Sequence, residues 1–213
     1  MCEVKILFDG YSRNLDDGTM KANCSCTLIK GSKLIIIDTM TAWDRERIIN
    51  ALTLENVSPE DVDYVVCTHS HADHIGNNNL FLNAQHIVGT SIHTKDIFHS
   101  TPIQPVGYSL CQDVRVIPTP GHTSEDVTVL VDSIVNGQPK KFAITGDLFE
   151  KEEDIMNPTI WKELGTPELQ NIQSNMRSHI ISVADFIIPG HGPMFCVTEN
   201  MRETVLSQIM SKK

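Results

Sequence analysis

"VVCTHSHADHIGN", residues 65–77, sets His69, His71, Asp73 and His74 within six positions, directly behind an apolar run. Imidazoles and a carboxylate are poor core material, because each buried polar group needs a partner. They are good ligands for a divalent cation. In an extended loop His69 and His71, two residues apart, point the same way and can grip one ion. Asp73 and His74 are adjacent, so they diverge and suit a second ion.

Three further stretches repeat the theme at the ends of apolar runs. "PTPGHTSED" places His122 in a Pro-Gly turn behind a strand, and "FAITGDLFE" places Asp147 two residues past another. "FIIPGHGPM" places His191 between glycines that let the backbone come close. Alone, each would read as a turn or surface residue. Beside the 69–74 cluster, they make a metal site the better account. Nitrogen and oxygen donors without thiolate fit zinc, with iron and manganese as the other candidates.

The remaining pattern predicts strands at "VKILF", "CSCTLIK", "KLIIIDT" and "DYVVC", then "QHIVG", "VRVIP", "DVTVLVD", "KKFAITG" and "DFIIP". Helical spacing runs through "WDRERIINALTLEN", "TPELQNIQSNMRSHIISVA" and "TENMRETVLSQIM", and "ADHIGNNNLF" is expected to start a helix. An irregular stretch is expected from about residue 90 to Ser109. With no linker, repeat or low-complexity segment, the expectation is one domain over 1–213, two packed sheets flanked by helices.

Composition narrows the function classes. A 213-residue chain that is 40% hydrophobic and 21% charged can bury a full core. Its net charge of −10, from 27 acidic against 17 basic residues, lacks the basic footprint of a protein living on phosphate contacts. Two bound dications would still make one cleft locally attractive to an anion. The six cysteines show no CxxC pair, and the opening "MCEVKILFDG" reads as a strand, not a leader. The expectation is therefore reduced thiols in a soluble, cytoplasmic protein, with the nucleus also open to it and no membrane partner. Cys24 and Cys26, two apart on a strand, read as one packed face.

"THSHADHIGN", "TPGHTSED", "ITGDLFE" and "PGHGP", in this order over nearly the whole chain, resemble the metallo-β-lactamase superfamily. The resemblance implies an α/β fold, a four-layer αββα sandwich with metals at one edge. It also implies His69, His71 and His122 on one ion, Asp73, His74 and His191 on the other, and Asp147 bridging both. Asp38 matches a family aspartate that braces the ligand loop without being a ligand.

Two such ions roughly 3.5 to 4 Å apart share a water and lower its pKa to near 7. Asp73 then carries the catalytic role of orienting that hydroxide. "THSHADHIGNNNLF" with "GHTSEDVTVLV" is most similar to a subfamily associated with endonucleolytic processing of histone pre-mRNA. The resemblance thus implies an endoribonuclease, with RNA as a weakly held partner and a homodimer left open. Glyoxalase II-like thioester hydrolysis and an iron-dependent persulfide dioxygenase are the alternatives. Of the other histidines, His86 is expected in a strand and His179 in a late helix. His93 and His99 are read as solvated loop residues, with lining of the substrate cleft as their functional alternative.

Overall fold

Ile35, Ile36 and Ile37 are all fully buried. Successive strand residues point to opposite faces, so this run must be covered on both sides. Ile35 and Ile37 join one core with Val129, Val131 and Ile144, while Ile36 joins another with Ile48 and Leu52. The first core is sheet against sheet, and the second is sheet against helix.

The computed structural model describes residues 1–100 and 103–210. In chain order the strands are β1 (Glu3–Phe8), β2 (Tyr11–Asn14), β3 (Met20–Asn23), β4 (Cys26–Lys30), β5 (Leu34–Ile37), β6 (Tyr64–Cys67), β7 (Gln85–Val88) and β8 (Ser91–Thr94). They continue with β9 (Ile97–Phe98), β10 (Tyr108–Cys111), β11 (Val114–Pro118), β12 (Val127–Val135), β13 (Gln138–Gly146), β14 (Phe186–Pro189) and β15 (Phe195–Cys196). The helices are α1 (Arg45–Leu54), α2 (Ala72–Ile75), α3 (Thr159–Leu164), α4 (Gln170–Val183) and α5 (Glu199–Met210).

One sheet runs β1-β4-β5-β6-β7-β8-β9, the other β10-β11-β12-β13-β14-β15, and β2 and β3 form a separate hairpin. α1 covers the outer face of the first sheet. Ile180 and Ile181 of α4 and Val205 of α5 pack on Ala143 and Ile187 of the second. The order of layers is αββα.

The parallel pairs position the chemistry. β5, β6 and β7 run parallel, as do β13 and β14, so their carboxyl ends open on common edges. Asp38, His69, Asp147 and His191 all lie just past such ends, where α/β sheets place their ligands.

Several local expectations are corrected. The stretch from 90 to Ser109 holds β8, β9 and the start of β10, strands too short to show alternation; 101 and 102 lie outside the described residues. "ADHIGNNNLF" gives only the single turn α2 and a separate 3-10 turn, Asn78–Leu80. Gly76 ends α2 because its N–H donates to the Met40 carbonyl at 2.8 Å, not back into the preceding turn. The β2–β3 hairpin and α3 carried no pattern strong enough to predict. Cys24 and Cys26 are buried together in the α1-facing core, as packed residues. Among the described residues no helix is long and apolar enough to cross a membrane.

Candidate metal centre

Asp38 begins the site. It follows β5 with φ of 57°, a left-handed backbone that short polar side chains tolerate better than most. That turn aims its carboxylate at the loop after β6. Oδ1 accepts the Thr68 N–H at 2.8 Å, and Oδ2 lies 3.0 Å from His74 Nδ1. One buried carboxylate thus holds both ends of the His69–His74 loop.

The loop delivers a tight cluster of nitrogens. His71 Nδ1 lies 2.9 Å from His69 Nε2 and 3.1 Å from His122 Nε2. Ligand atoms of His69, His71, His122 and Asp147 fall within 4.8 Å of one another, as do those of Asp73, His74 and His191. Asp147 sits between the groups. Its Oδ2 is 3.4 Å from His122 Nε2 and 3.2 Å from His191 Nε2, while Oδ1 is 3.3 Å from His74 Nε2. Gly190 permits this, since a Cβ there would fall 1.9 Å from Asp147 Oδ1. Gly146, at φ of +50°, turns the chain into Asp147 against Thr68.

The donor chemistry fits cations. His74 Nε2 and Asp147 Oδ1 are buried without a hydrogen-bond partner. A buried polar atom left so costs about 1–3 kcal/mol, and converging lone pairs are satisfied together by a metal ion. The titrating groups divide. Burial, then the neighbouring His74, pushes the His69 imidazole well down, and burial likewise lowers His122, so both stay neutral. Burial works against the charged form of His191, but the Asp147 carboxylate wins and raises it to about 9. Despite its own burial, Asp147 is held well below the usual carboxylate range by His191, His74 and His69. Cys24 also approaches Asp38 and His74, yet burial drives its thiol well up, and it remains a packed SH.

A cleft of about 600 Å³ opens over the cluster. Met20, Ala22, Ala42, Trp43 and Leu164 form its apolar wall, with His71, Asp73, His122, Asp147, Glu150 and His191 at its floor.

A family profile described as "Metallo-beta-lactamase superfamily" matches residues 21–191. The chain belongs to the metallo-beta-lactamase superfamily. It is 36% identical over 200 residues to metallo-beta-lactamase domain-containing protein 1 of Xenopus laevis, covering 92% of this chain and 82% of that one. It spans 64% of the mouse protein of the same name. Two superfamily structures share the fold. A metallo-beta-lactamase-like protein from Thermotoga maritima superposes with a TM-score of 0.67 at 20% identity, over 92% of this chain and 99% of that one. A Bacillus thuringiensis protein with N-decanoyl-L-homoserine bound at its active site gives 0.62 at 18%, over 90% and 92%.

All seven residues expected as ligands lie together in this cluster. The other histidines do not. His93 is in β8, not in a loop, where its ring stacks on Phe98 at 4.9 Å. His99 faces Gln85, and neither lines the cleft. His86 lies in β7 and His179 is exposed on α4. Sequence reasoning missed Glu150, which is 1% exposed, and Trp43, which is 91% exposed at the rim. Glu150 stands three residues after Asp147 behind a buried Phe149, the one available signal. Trp43 looked like part of an apolar helix face, but it precedes α1 and points away from the core.

Proposed function

We propose that this chain is a binuclear, zinc-loaded hydrolase that cleaves single-stranded RNA. His69, His71 and His122 would hold one ion and Asp73, His74 and His191 the other, with Asp147 placed between the two groups. When bound, the ions lower the pKa of the attacking water towards 7 and neutralise charge developing on the phosphate. Asp73 is half-buried at the cleft floor, where a carboxylate oxygen would accept a hydrogen bond from an attacking water and aim it. Asp38 and Thr68 keep the ligand loop from shifting as charge moves.

The observation that supports RNA is the path leading away from the floor. The cleft adjoins a groove of about 160 Å³ through Ser12, Met20 and Leu164, and that groove carries Arg13 and Lys151 with one acid, Glu163. An exposed Trp43 offers a face on which a base stacks, and the two cations suit a neighbouring phosphate. Two phosphate contacts give a shallow salt dependence, roughly −1.4 in log–log slope for a single strand. A second reading has its own observation: among the described residues no Lys or Arg lines the cleft above the ligands, and its wall is apolar. That suits an uncharged thioester or lactone.

The test compares zinc-reconstituted wild type with Asp73→Asn at equal metal content, on RNA, thioester and lactone substrates. RNA cleavage that tracks zinc and collapses in the variant, with binding kept, supports the proposal. Equal RNA cleavage by both proteins marks a contaminating nuclease. Brisk thioester or lactone hydrolysis without RNA cleavage gives the case to the second reading. One tightly bound iron with oxygen uptake removes hydrolysis altogether.

A further inference from the structure

Each buried histidine at the floor turns one ring nitrogen inward, and the other must be placed. His74 Nδ1 meets the Asp38 carboxylate at 3.0 Å, and His191 Nδ1 meets the Asn23 carbonyl at 3.1 Å. His69 Nδ1 meets Thr68 Oγ1 at 3.2 Å. For His122 the outward nitrogen is Nδ1, and the group opposite it is Glu150 Oε1 at 3.7 Å. His122 Nδ1 and both Glu150 carboxylate oxygens are buried without a hydrogen-bond partner.

A donor and an acceptor, each orphaned and facing the other across 3.7 Å in a buried site, are complementary. Either one left alone carries a desolvation cost, and a small closure removes both. The backbone of Glu150 is fixed by two hydrogen bonds. Its N–H donates to Asp154 Oδ2 at 2.7 Å, and its carbonyl accepts the His191 N–H at 2.8 Å. Asp154 is in turn paired with the fully buried Arg177 of α4. Such anchoring is unusual for a surface acid and apt for one that must aim.

We propose that Glu150 is the positioning residue for His122: it accepts the Nδ1–H, fixes that tautomer, and so presents Nε2 to the metal. The inference rests on His122 being a metal ligand. Carboxylates behind ligating imidazoles orient the ring and raise its basicity, and their loss costs about 10–100-fold in metal affinity. Glu150 also belongs to a possible ligand group with Asp147 and His191, all within 4.8 Å, so a direct ligand role must be separable.

The experiment uses zinc-loaded wild type, Glu150→Gln and Glu150→Ala, with chelator competition and long-range ¹H–¹⁵N spectra of the imidazoles. Wild type should show His122 protonated at Nδ1, with a strongly downfield proton. Glu150→Gln keeps an acceptor oxygen, so it should retain the tautomer, move that proton upfield, and keep most of the affinity. Glu150→Ala should bind the weaker-held zinc about 10–100-fold less tightly and lose the single tautomer. If Ala does not fold, the Gln spectrum decides: an unmoved His122 Nδ1 proton overturns the proposal. Wild-type zinc affinity and an unchanged His122 signature in Glu150→Ala also overturn it. Zinc loss in Gln as complete as in Ala overturns positioning in favour of direct ligation. Failure of wild type to bind zinc would sink the metal reading itself, a separate result.

Discussion

Asp147 stands between the two candidate ligand groups. Its two oxygens face His74 on one side and His122 and His191 on the other. Asp147→Ala should therefore lower metal content at both positions together, from two per chain towards none, by elemental analysis after gel filtration. A variant that keeps two tightly bound metals and full activity would refute the shared role. Trp43 is the opposite kind of residue. Because 91% of it is exposed, Trp43→Ala should change the urea midpoint by no more than a surface substitution does, within about 0.5 kcal/mol. If it stacks a base, RNA binding should nonetheless weaken by about 1–3 kcal/mol. Unchanged RNA affinity in a filter-binding titration would remove Trp43 from the substrate path.

Between elements, the critical joint is α4 against the loop that follows β13. Arg177 of α4 is 1% exposed, donates to the Leu148 carbonyl at 2.7 Å, and pairs with Asp154, which is fully buried. Its guanidinium lies 4.1 Å from the Phe149 ring centre and 5.1 Å from that of Trp161. Burial raises the Asp154 carboxyl, with Arg177 opposing, so the charge there is tolerable only with its partner. Arg177→Met should cost about 3–5 kcal/mol in denaturant unfolding, because it strands Asp154 in the interior. The double variant with Asp154→Leu should recover much of that loss. No recovery would mean the pair is not the source of the cost. The same joint carries Asp147 and Glu150, so Arg177→Met should also loosen metal binding.

For the whole molecule, the site makes stability depend on pH and metal. His191 stands at about 9 in the fold against an ordinary 6.5, so its contribution is complete below pH 6.5 and is lost as pH rises through about 9. His74, raised by Asp38 and Asp147 against its burial, acts in the same direction. His69 and His122 are lowered, so their contribution is lost only as pH falls through 6.5, outside that window. Chelator-treated protein should thus lose stability between pH 7 and 9.5, on the order of 3 kcal/mol, seen as a falling melting temperature. Zinc-loaded protein should stay nearly flat there, since metal replaces the protons. A chelated protein whose melting temperature rises over that range would contradict the assignment. The contrast follows from where the residues come from. The sequence by itself determined the layers and the donors. The order of strands and helices implied two packed sheets flanked by helices, and His69–His74 crowds polar groups suited to a cation. His122, Asp147 and His191 were legible because each follows an apolar strand, and parallel strand ends meet at an edge. Glu150, Trp43, and the Arg13–Lys151 groove were decided by tertiary structure alone. Burial of an acid and exposure of an indole depend on which distant elements pack around them. For Glu150 these are α4 and the His122 loop, and local pattern carries no record of that contact.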